Sequence, residues 1–318
     1  MTDVATSQPR VVACMPAWNS GSFIRPVLES IAAQTYQNLE LLISVDACTD
    51  NTATLCEEFA ASHPRCRVIR QPQRLGWIAN ANALLRSAQG EYVFFAFHDD
   101  PLEPTYVARL VDALERNPQA VLAFSDMNTN RGPSTFAELD GVTDRFERTR
   151  RLLLTTGDWW VPNRGVFRAT AAKTLGGMRR HIAGENGADR PWLLRLAQQG
   201  EFVRVPEALV FKNFRAQGLS TLWKKGFWKR VGVQLACLGA IREAGFRPRQ
   251  ELQLWRERAL LGLRLEWWQA EPAMRARSPR FSAHLQTVLR AMLSWLLHFE
   301  RAVGVAPEAS DLRPDSRV

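Results

Sequence analysis

The sequence predicts a layered α/β protein: a mostly parallel sheet flanked by helices, followed by a C-terminal helical subdomain. Three observations carry that expectation. Short apolar runs alternate with stretches of helical periodicity from Val11 to Met127, the signature of strand–helix–strand units. Two of the runs, "LELLISV" and "YVFFAF", are nearly continuous in apolar residues, as strands covered on both faces are. From Leu222 onward the strand pattern stops and only helical periodicity remains.

Taken in order, Val11 to Met15 reads as a short strand that Pro16 should stop, with a loop through Asn19, Ser20 and Gly21. Apolar residues then recur at helical spacing from Ile24 to Ala33, and Pro26 is tolerated in the first turn. "LELLISVDA" is a second strand that ends on Asp46. "CTDNTATLCEEFAASH" supplies a capping Thr/Asp pair and a helix, "RVIRQ" a third strand, and "IANANALLRSAQG" a helix closed by Gly90. "GEYVFFAFHDDP" is the fourth strand, ending on Asp99 and Asp100 before Pro101. "YVARLVDALERNP" is amphipathic and helical, "AVLAFSDM" is a strand ending near Asp126, and residues 128 to 164 are charged, Trp-containing and irregular. "PWLLRLAQQG" opens a further helix, with Asp189 at its start, where the helix dipole favours the ionised carboxylate.

Ligands of parallel sheets bind at the carboxyl ends of the strands. That rule brings Asn19, Asp46 and the Asp99–Asp100 pair to one sheet edge. Two adjacent like charges gain nothing from an apolar flank, so the pair is expected to be offered to a cation or ligand.

At 318 residues the chain can bury a sizeable core. "MTDVATSQPR" lacks the apolar segment of a secretory leader, and no apolar run reaches the length of a spanning helix. The five cysteines, Cys14, Cys48, Cys56, Cys66 and Cys237, contain no C-x-x-C pair, which argues against a disulfide framework or structural zinc and for a reducing cytoplasm. The net charge of +9 is uneven: residues 1 to 150 carry 13 basic against 18 acidic side chains, the remainder 28 against 14. The basic half should meet something anionic.

Read together, these pieces resemble an inverting family 2 glycosyltransferase of the GT-A fold over residues 9 to 220. "MPAWN" resembles the family's P-x-x-N loop, "VDACTDNT" its D-G-S-T-D-N-T segment, and "RLGWIANAN" its G-x-x-x-A-x-N helix. "GEYVFFAFHDDP" resembles the stretch carrying D-x-D, and the segment from Leu175 to Ser220 the region with a Glu-Asp pair and a closing Arg-x-His. The resemblance implies that Pro16, Ala17, Asn19, Asp46, Arg74 and Asp99 line the site of a UDP- or dTDP-linked sugar. It implies that Asp99 and Asp100 hold Mg²⁺ or Mn²⁺ on the diphosphate, and that Asp189 is the general base toward a hydroxyl acceptor. Three positions depart from the pattern: Phe97 stands for the first Asp of D-x-D, Ala188 for the Glu of the pair, and Gln217 for the His of Arg-x-His. His98, beside the pair, reads equally as structural or as a ligand.

Trp159 and Trp160 in "TTGDWWVPNRG", with Glu185, are the expected acceptor-binding residues, since aromatic faces suit sugar stacking. The resemblance implies a saccharide or lipid-linked acceptor, in cell-surface polysaccharide or glycolipid synthesis. The domains are expected at 1–220, 221–305 and a disordered tail at 306–318. Residues 222 to 299 combine six tryptophans with positive charge, which suits either an anionic membrane surface at the inner face or an inward-packed cap. No nucleic-acid recognition motif is present. Two rivals remain at this point. A nucleotidyltransferase needs a basic loop after the first strand, which "MPAWNSGS" lacks; a non-catalytic sugar-nucleotide-binding or scaffold relative accords with the three departures.

Overall fold

The computed structural model describes residues 8–182, 184–215 and 227–277. The chain falls into two compact units, Met1–Arg247 and Pro248–Val318. The expected boundary near residue 220, the third C-terminal helix and the tail lie outside the described residues, as does Gln217. In the first unit the strands are β1 (Val11–Ala17), β2 (Leu39–Val45), β3 (Cys66–Arg70), β4 (Tyr92–Phe95), β5 (Ala120–Thr129), β6 (Gly132–Ser134), β7 (Val166–Arg168) and β8 (Glu201–Lys212). Its helices are α1 (Ile24–Ala32), α2 (Thr52–Ser62), α3 (Trp77–Ser87), α4 (Tyr106–Arg116), α5 (Arg145–Leu154), α6 (Ala169–Thr174), α7 (Asp189–Gln199) and α8 (Phe227–Glu243). Two 3₁₀ turns, Ala137–Leu139 and Val161–Arg164, flank α5. The described part of the second unit is the helix α9 (Pro248–Arg277).

The sheet runs β3-β2-β1-β4-β7-β5-β6, with β8 also paired to β5. β1 to β4 are mutually parallel, β7 is antiparallel to both β4 and β5, and β8 is parallel to β5. The carboxyl ends of β1, β2, β4, β5 and β8 therefore share one edge. β7, running the other way, starts at that edge, so the turn before it lies there too. This is what gathers the site. The two-sided burial expected of the central strands holds: every residue of β2 and of β4 is buried. Helix α4 buries Tyr106, Val107, Leu110, Val111 and Leu114, a helical stripe facing the sheet.

Three local expectations are corrected. β1 continues through Pro16 to Ala17. The Cys14 carbonyl accepts from Ala96 on the β4 side, and Pro16, two residues on, faces the same side where β4 has already ended at Phe95. No ladder bond is lost there, so proline is tolerated. Gly90 does not close α3, which ends at Ser87; a Cβ on Gly90 would lie 2.6 Å from the Arg10 carbonyl, so the residue serves close packing of the β4 entry against β1. Between residues 128 and 164 the chain holds the helix α5, whose Asp144 N-cap accepts from the Glu147 N–H at 2.7 Å.

Two buried arginines lock α5 to α7. Arg148 donates to the Ala197 carbonyl at 3.0 Å and to the Val142 and Thr143 carbonyls. Arg190 donates to the Leu152, Leu153 and Thr155 carbonyls, the otherwise unpaired end of α5. Arg190→Ala strands these carbonyls in a buried place and is expected to cost about 2–4 kcal/mol, read by guanidinium denaturation.

Candidate active site

The first loop of the edge is built around Asp46, which is buried at the end of β2. One carboxylate oxygen accepts from the Leu75 N–H at 2.7 Å and the Ala47 N–H at 3.1 Å, the other from the Gly76 N–H at 2.9 Å. In the folded chain Asp46 thus fixes the loop before α3 instead of capping the helix that follows it. Gly76 has φ +82°, a conformation that favours glycine, and a Cβ there would meet Glu185 Oε1 at 2.7 Å. The loop aims Arg74 so that its guanidinium lies 3.3 Å from the centre of the Trp18 ring. Asp46→Ala removes the acceptor of three partly exposed N–H groups, an expected loss of about 1–3 kcal/mol in a denaturant titration.

Asn19 adopts φ +44°, a region asparagine tolerates, and is pinned to the next loop: its Oδ1 accepts from the Thr49 N–H at 2.9 Å. Ala17 is fully buried and its carbonyl accepts from the Asp46 N–H at 2.9 Å, so it ties the end of β1 to the end of β2. The Pro16 carbonyl holds the His98 ring, whose Nδ1 is buried without a hydrogen-bond partner. Burial pushes His98 below its ordinary value, with Lys212 acting the same way, so the imidazole is neutral near pH 7.

The carboxylate pair at the end of β4 is engaged by two cations that sequence reading did not single out. Lys212, at the end of β8, donates to Asp100 Oδ1 at 2.8 Å and Asp99 Oδ2 at 3.2 Å. Arg164, from the turn before β7, donates through Nε to Asp100 Oδ2 at 3.2 Å. Its guanidinium lies 4.3 Å from the centre of the Phe97 ring and 5.0 Å from that of Trp160. Phe97, standing where the resemblance expects an aspartate, is therefore the surface on which Arg164 rests. Burial raises Asp99, but Lys212, His98 and Arg164 outweigh burial and hold it below its ordinary value; burial and the neighbouring Asp99 push Asp100 up.

For a divalent ion this donor set does not fit. Mg²⁺ at such sites is held by one or two carboxylates together with substrate phosphates, so the carboxylates must bring negative charge that is not already spent on the protein's own cations. Both oxygens of Asp100 are occupied by protein cations, one oxygen of Asp99 is shared with Lys212, and two positive side chains offset the two carboxylates. Among the described residues, no group of three or more His, Cys, Asp or Glu side chains converges on one point. The Mg²⁺ or Mn²⁺ expected at Asp99 and Asp100 thus meets a pair whose charge is already balanced.

Asp189 is the first residue of α7, as expected. Its ionisation differs from the expectation: burial outweighs Arg164 and the N–H groups at the helix start, and the carboxyl is raised above its ordinary value. Behind it Trp192 is buried against Phe167, ring centres 6.3 Å apart. Trp159 lies 4.8 Å from the Arg190 guanidinium, next in sequence to Asp189, and Trp160 packs edge-on to Phe214 at 5.8 Å. The fold thus brings both tryptophans toward the elements that carry Asp189 and Lys212. Glu185 goes elsewhere: its Oε1 accepts from Arg180 at 2.7 and 3.0 Å and packs beside Gly76, and its carbonyl accepts from Trp77 Nε1 at 3.3 Å, joining it to the Asp46 loop.

Among the described residues no helix is long and apolar enough to cross a membrane. Of the segment expected to contact a membrane, 222–299, residues 222–226 and 278–299 lie outside the described residues.

Known proteins share this architecture. The uncharacterized glycosyltransferase YibD of Escherichia coli (strain K12) is 28% identical over 181 residues, 57% of this chain and 51% of its own. A chondroitin synthase of Escherichia coli is 27% identical over 235 residues, 73% of this chain and 33% of its own. The chain spans about half or less of the length of these relatives. Among solved structures, S. aureus TarS 1-349 in complex with UDP has a TM-score of 0.65 at 14% identity, covering 82% of this chain and 74% of that one. The mannosyltransferase PcManGT from Pyrobaculum calidifontis, in complex with GDP-Man and Mn²⁺, has a TM-score of 0.56 at 18% identity, covering 92% and 85%. These likenesses establish the GT-A type of α/β fold. The model of the family described as glycosyl transferase family 2 matches residues 12–173, about half of the chain, from β1 into α6. Sheet, loops and sequence agree: the chain belongs to glycosyl transferase family 2.

Proposed function

We propose that the protein transfers a sugar from a nucleoside diphosphate sugar, UDP- or dTDP-linked, to a hydroxyl of a saccharide or lipid-linked acceptor, with inversion at the anomeric carbon. The observation that carries this reading is Asp189. A carboxylate raised by burial, at the start of α7 and within the field of Arg164, is better matched to proton abstraction near neutral pH than an ordinary aspartate. In the proposed step the acceptor oxygen gives its proton to Asp189 and forms the bond to the anomeric carbon. The bond from that carbon to the β-phosphate oxygen breaks, and its electron pair leaves with the nucleoside diphosphate.

The parts around this step have separable tasks. The sheet edge at Pro16, Asn19 and the Asp46 loop receives the nucleoside. Trp18, under Arg74, offers a flat face beside it. Trp159 and Trp160 take the acceptor sugar by stacking. The product belongs to cell-surface polysaccharide or glycolipid, made at the cytoplasmic side, with the basic tryptophan-rich helices near the membrane.

The reading is tested by incubating the full chain with UDP- and dTDP-sugars and following nucleoside diphosphate release with and without a panel of saccharide acceptors. Release that depends on Asp189 supports it. The second reading, a non-catalytic relative that binds sugar nucleotides, is favoured by Phe97 and by the buried Ala188 that replaces a carboxylate next to the base. Binding of a sugar nucleotide without any turnover would establish that one instead.

A further inference from the structure

The carboxylate pair raises a question that the transfer reading leaves open: what carries the diphosphate's charge if the pair is already neutralised? Lys212 touches both carboxylates, at 2.8 and 3.2 Å, and Arg164 touches Asp100 at 3.2 Å. Both cations are mostly buried, with side-chain exposures of 11% and 12%. A lysine has three N–H donors and an arginine five. Two of the lysine's and one of the arginine's are spent on the pair, which leaves each with donors for another anion. The pair also fixes both cations in place before any ligand arrives, so little side-chain freedom is lost on binding.

Position supports the same task. β8 carries Lys212 to the edge where β4 delivers Asp99 and Asp100, and Arg164 lies between Asp100 and Asp189, where its charge favours the ionised form of Asp189. The departures converge on this point. Phe97 supplies a ring under the Arg164 guanidinium in place of a carboxylate, and in the sequence Gln217 stands where an imidazole ligand was expected. A site that lacks that imidazole and sets a lysine on both carboxylates holds side-chain cations where a divalent ion would sit.

We infer that Lys212 and Arg164 are the cations that bind the donor's diphosphate and take up the charge of the departing nucleoside diphosphate without a divalent ion, and that Asp99 and Asp100 are positioning residues for them. The inference rests on the nucleotide-sugar reading above. In the transfer step the electron pair of the broken bond between the anomeric carbon and oxygen settles on a phosphate oxygen held by these N–H groups. The acceptor's proton goes to Asp189, and no further reactant is needed.

The test is calorimetric titration of the full chain with UDP, dTDP and GDP, each in EDTA and in MnCl₂. At least one nucleoside diphosphate is expected to bind in EDTA, with affinity changing less than about threefold on adding Mn²⁺, as befits a site whose charge is already balanced. Lys212→Met should weaken binding in EDTA by about 10- to 100-fold, the worth of a charge-assisted hydrogen bond. By freeing Asp99 and one oxygen of Asp100, it should also make binding respond to Mn²⁺, an effect that a merely structural lysine has no reason to produce. If Lys212→Met does not fold, Lys212→Met/Asp99→Asn removes the charge imbalance and should show the same loss in EDTA, while Lys212→Arg retains binding there. Wild-type binding that requires Mn²⁺ overturns the inference and leaves the transfer reading standing. No binding of any nucleoside diphosphate under either condition overturns both.

Discussion

Asp189→Asn should lower transfer by about 10²- to 10⁴-fold while leaving nucleoside diphosphate affinity within about twofold, because it removes the proton acceptor and keeps the side chain's shape. The pH profile gives the same residue a second signature. A base acts only when unprotonated, and burial holds Asp189 above the ordinary 3.8. Turnover of the wild type therefore falls as pH drops through that raised value and is restored as pH climbs above it. In Asp189→Asn the residual rate should be flat across the same limb. Stopped assays of nucleoside diphosphate release at fixed ionic strength across the acidic range check both points. A variant that keeps more than about a tenth of wild-type turnover would remove Asp189 from the base role.

Asp100→Ala should be the most destabilising change at the site, by about 3–5 kcal/mol, a large part of the stability of an ordinary domain. Asp100 is buried and is the partner of both Arg164 and Lys212, which the surrounding aromatic rings hold away from water. Removing it leaves two mostly buried positive charges with one shared carboxylate. Asp99→Ala should cost about 1 kcal/mol, since it removes one contact at 3.2 Å and leaves Lys212 on Asp100. The two also differ with pH. Asp99 is held below the ordinary 3.8, so its contribution is complete above that value and is lost as pH falls through its lower folded value. Asp100 is raised, so its carboxyl weighs on stability as pH rises from 3.8 through its folded value. Guanidinium denaturation of both variants at neutral and acidic pH separates these effects; equal losses for the two residues would contradict the arrangement.

Legibility of the site followed the kind of interaction involved. Asp46, Asp99 and Asp100 were visible because each closes an apolar run, and a strand's end is written locally in where hydrophobicity stops. Asp189 was visible as the start of an apolar helix. Helix α5 was missed because "RFERTRRLLL" has little apolar face; it is held by Arg148 and Arg190, whose long side chains reach backbone carbonyls on other elements and read in sequence as ordinary surface charge. Glu185 was expected at the acceptor, yet its carboxylate is held by Arg180 and its carbonyl by Trp77 Nε1, beside the Asp46 loop.

Periodicity and strand ends alone determined that this chain is a parallel-sheet protein with carboxylates along one edge, since each of those signals sits within a few residues. Which charges meet was decided by the tertiary structure. Arg164 lies 64 residues and Lys212 112 residues from Asp100. They reach it only because β7 inserts antiparallel between β4 and β5 and β8 runs parallel beside β5, so that a turn and a strand end arrive at the same edge. A buried charge takes its partner from whatever the sheet order brings within about 3 Å, and sheet order is a property of the whole chain that no local pattern carries.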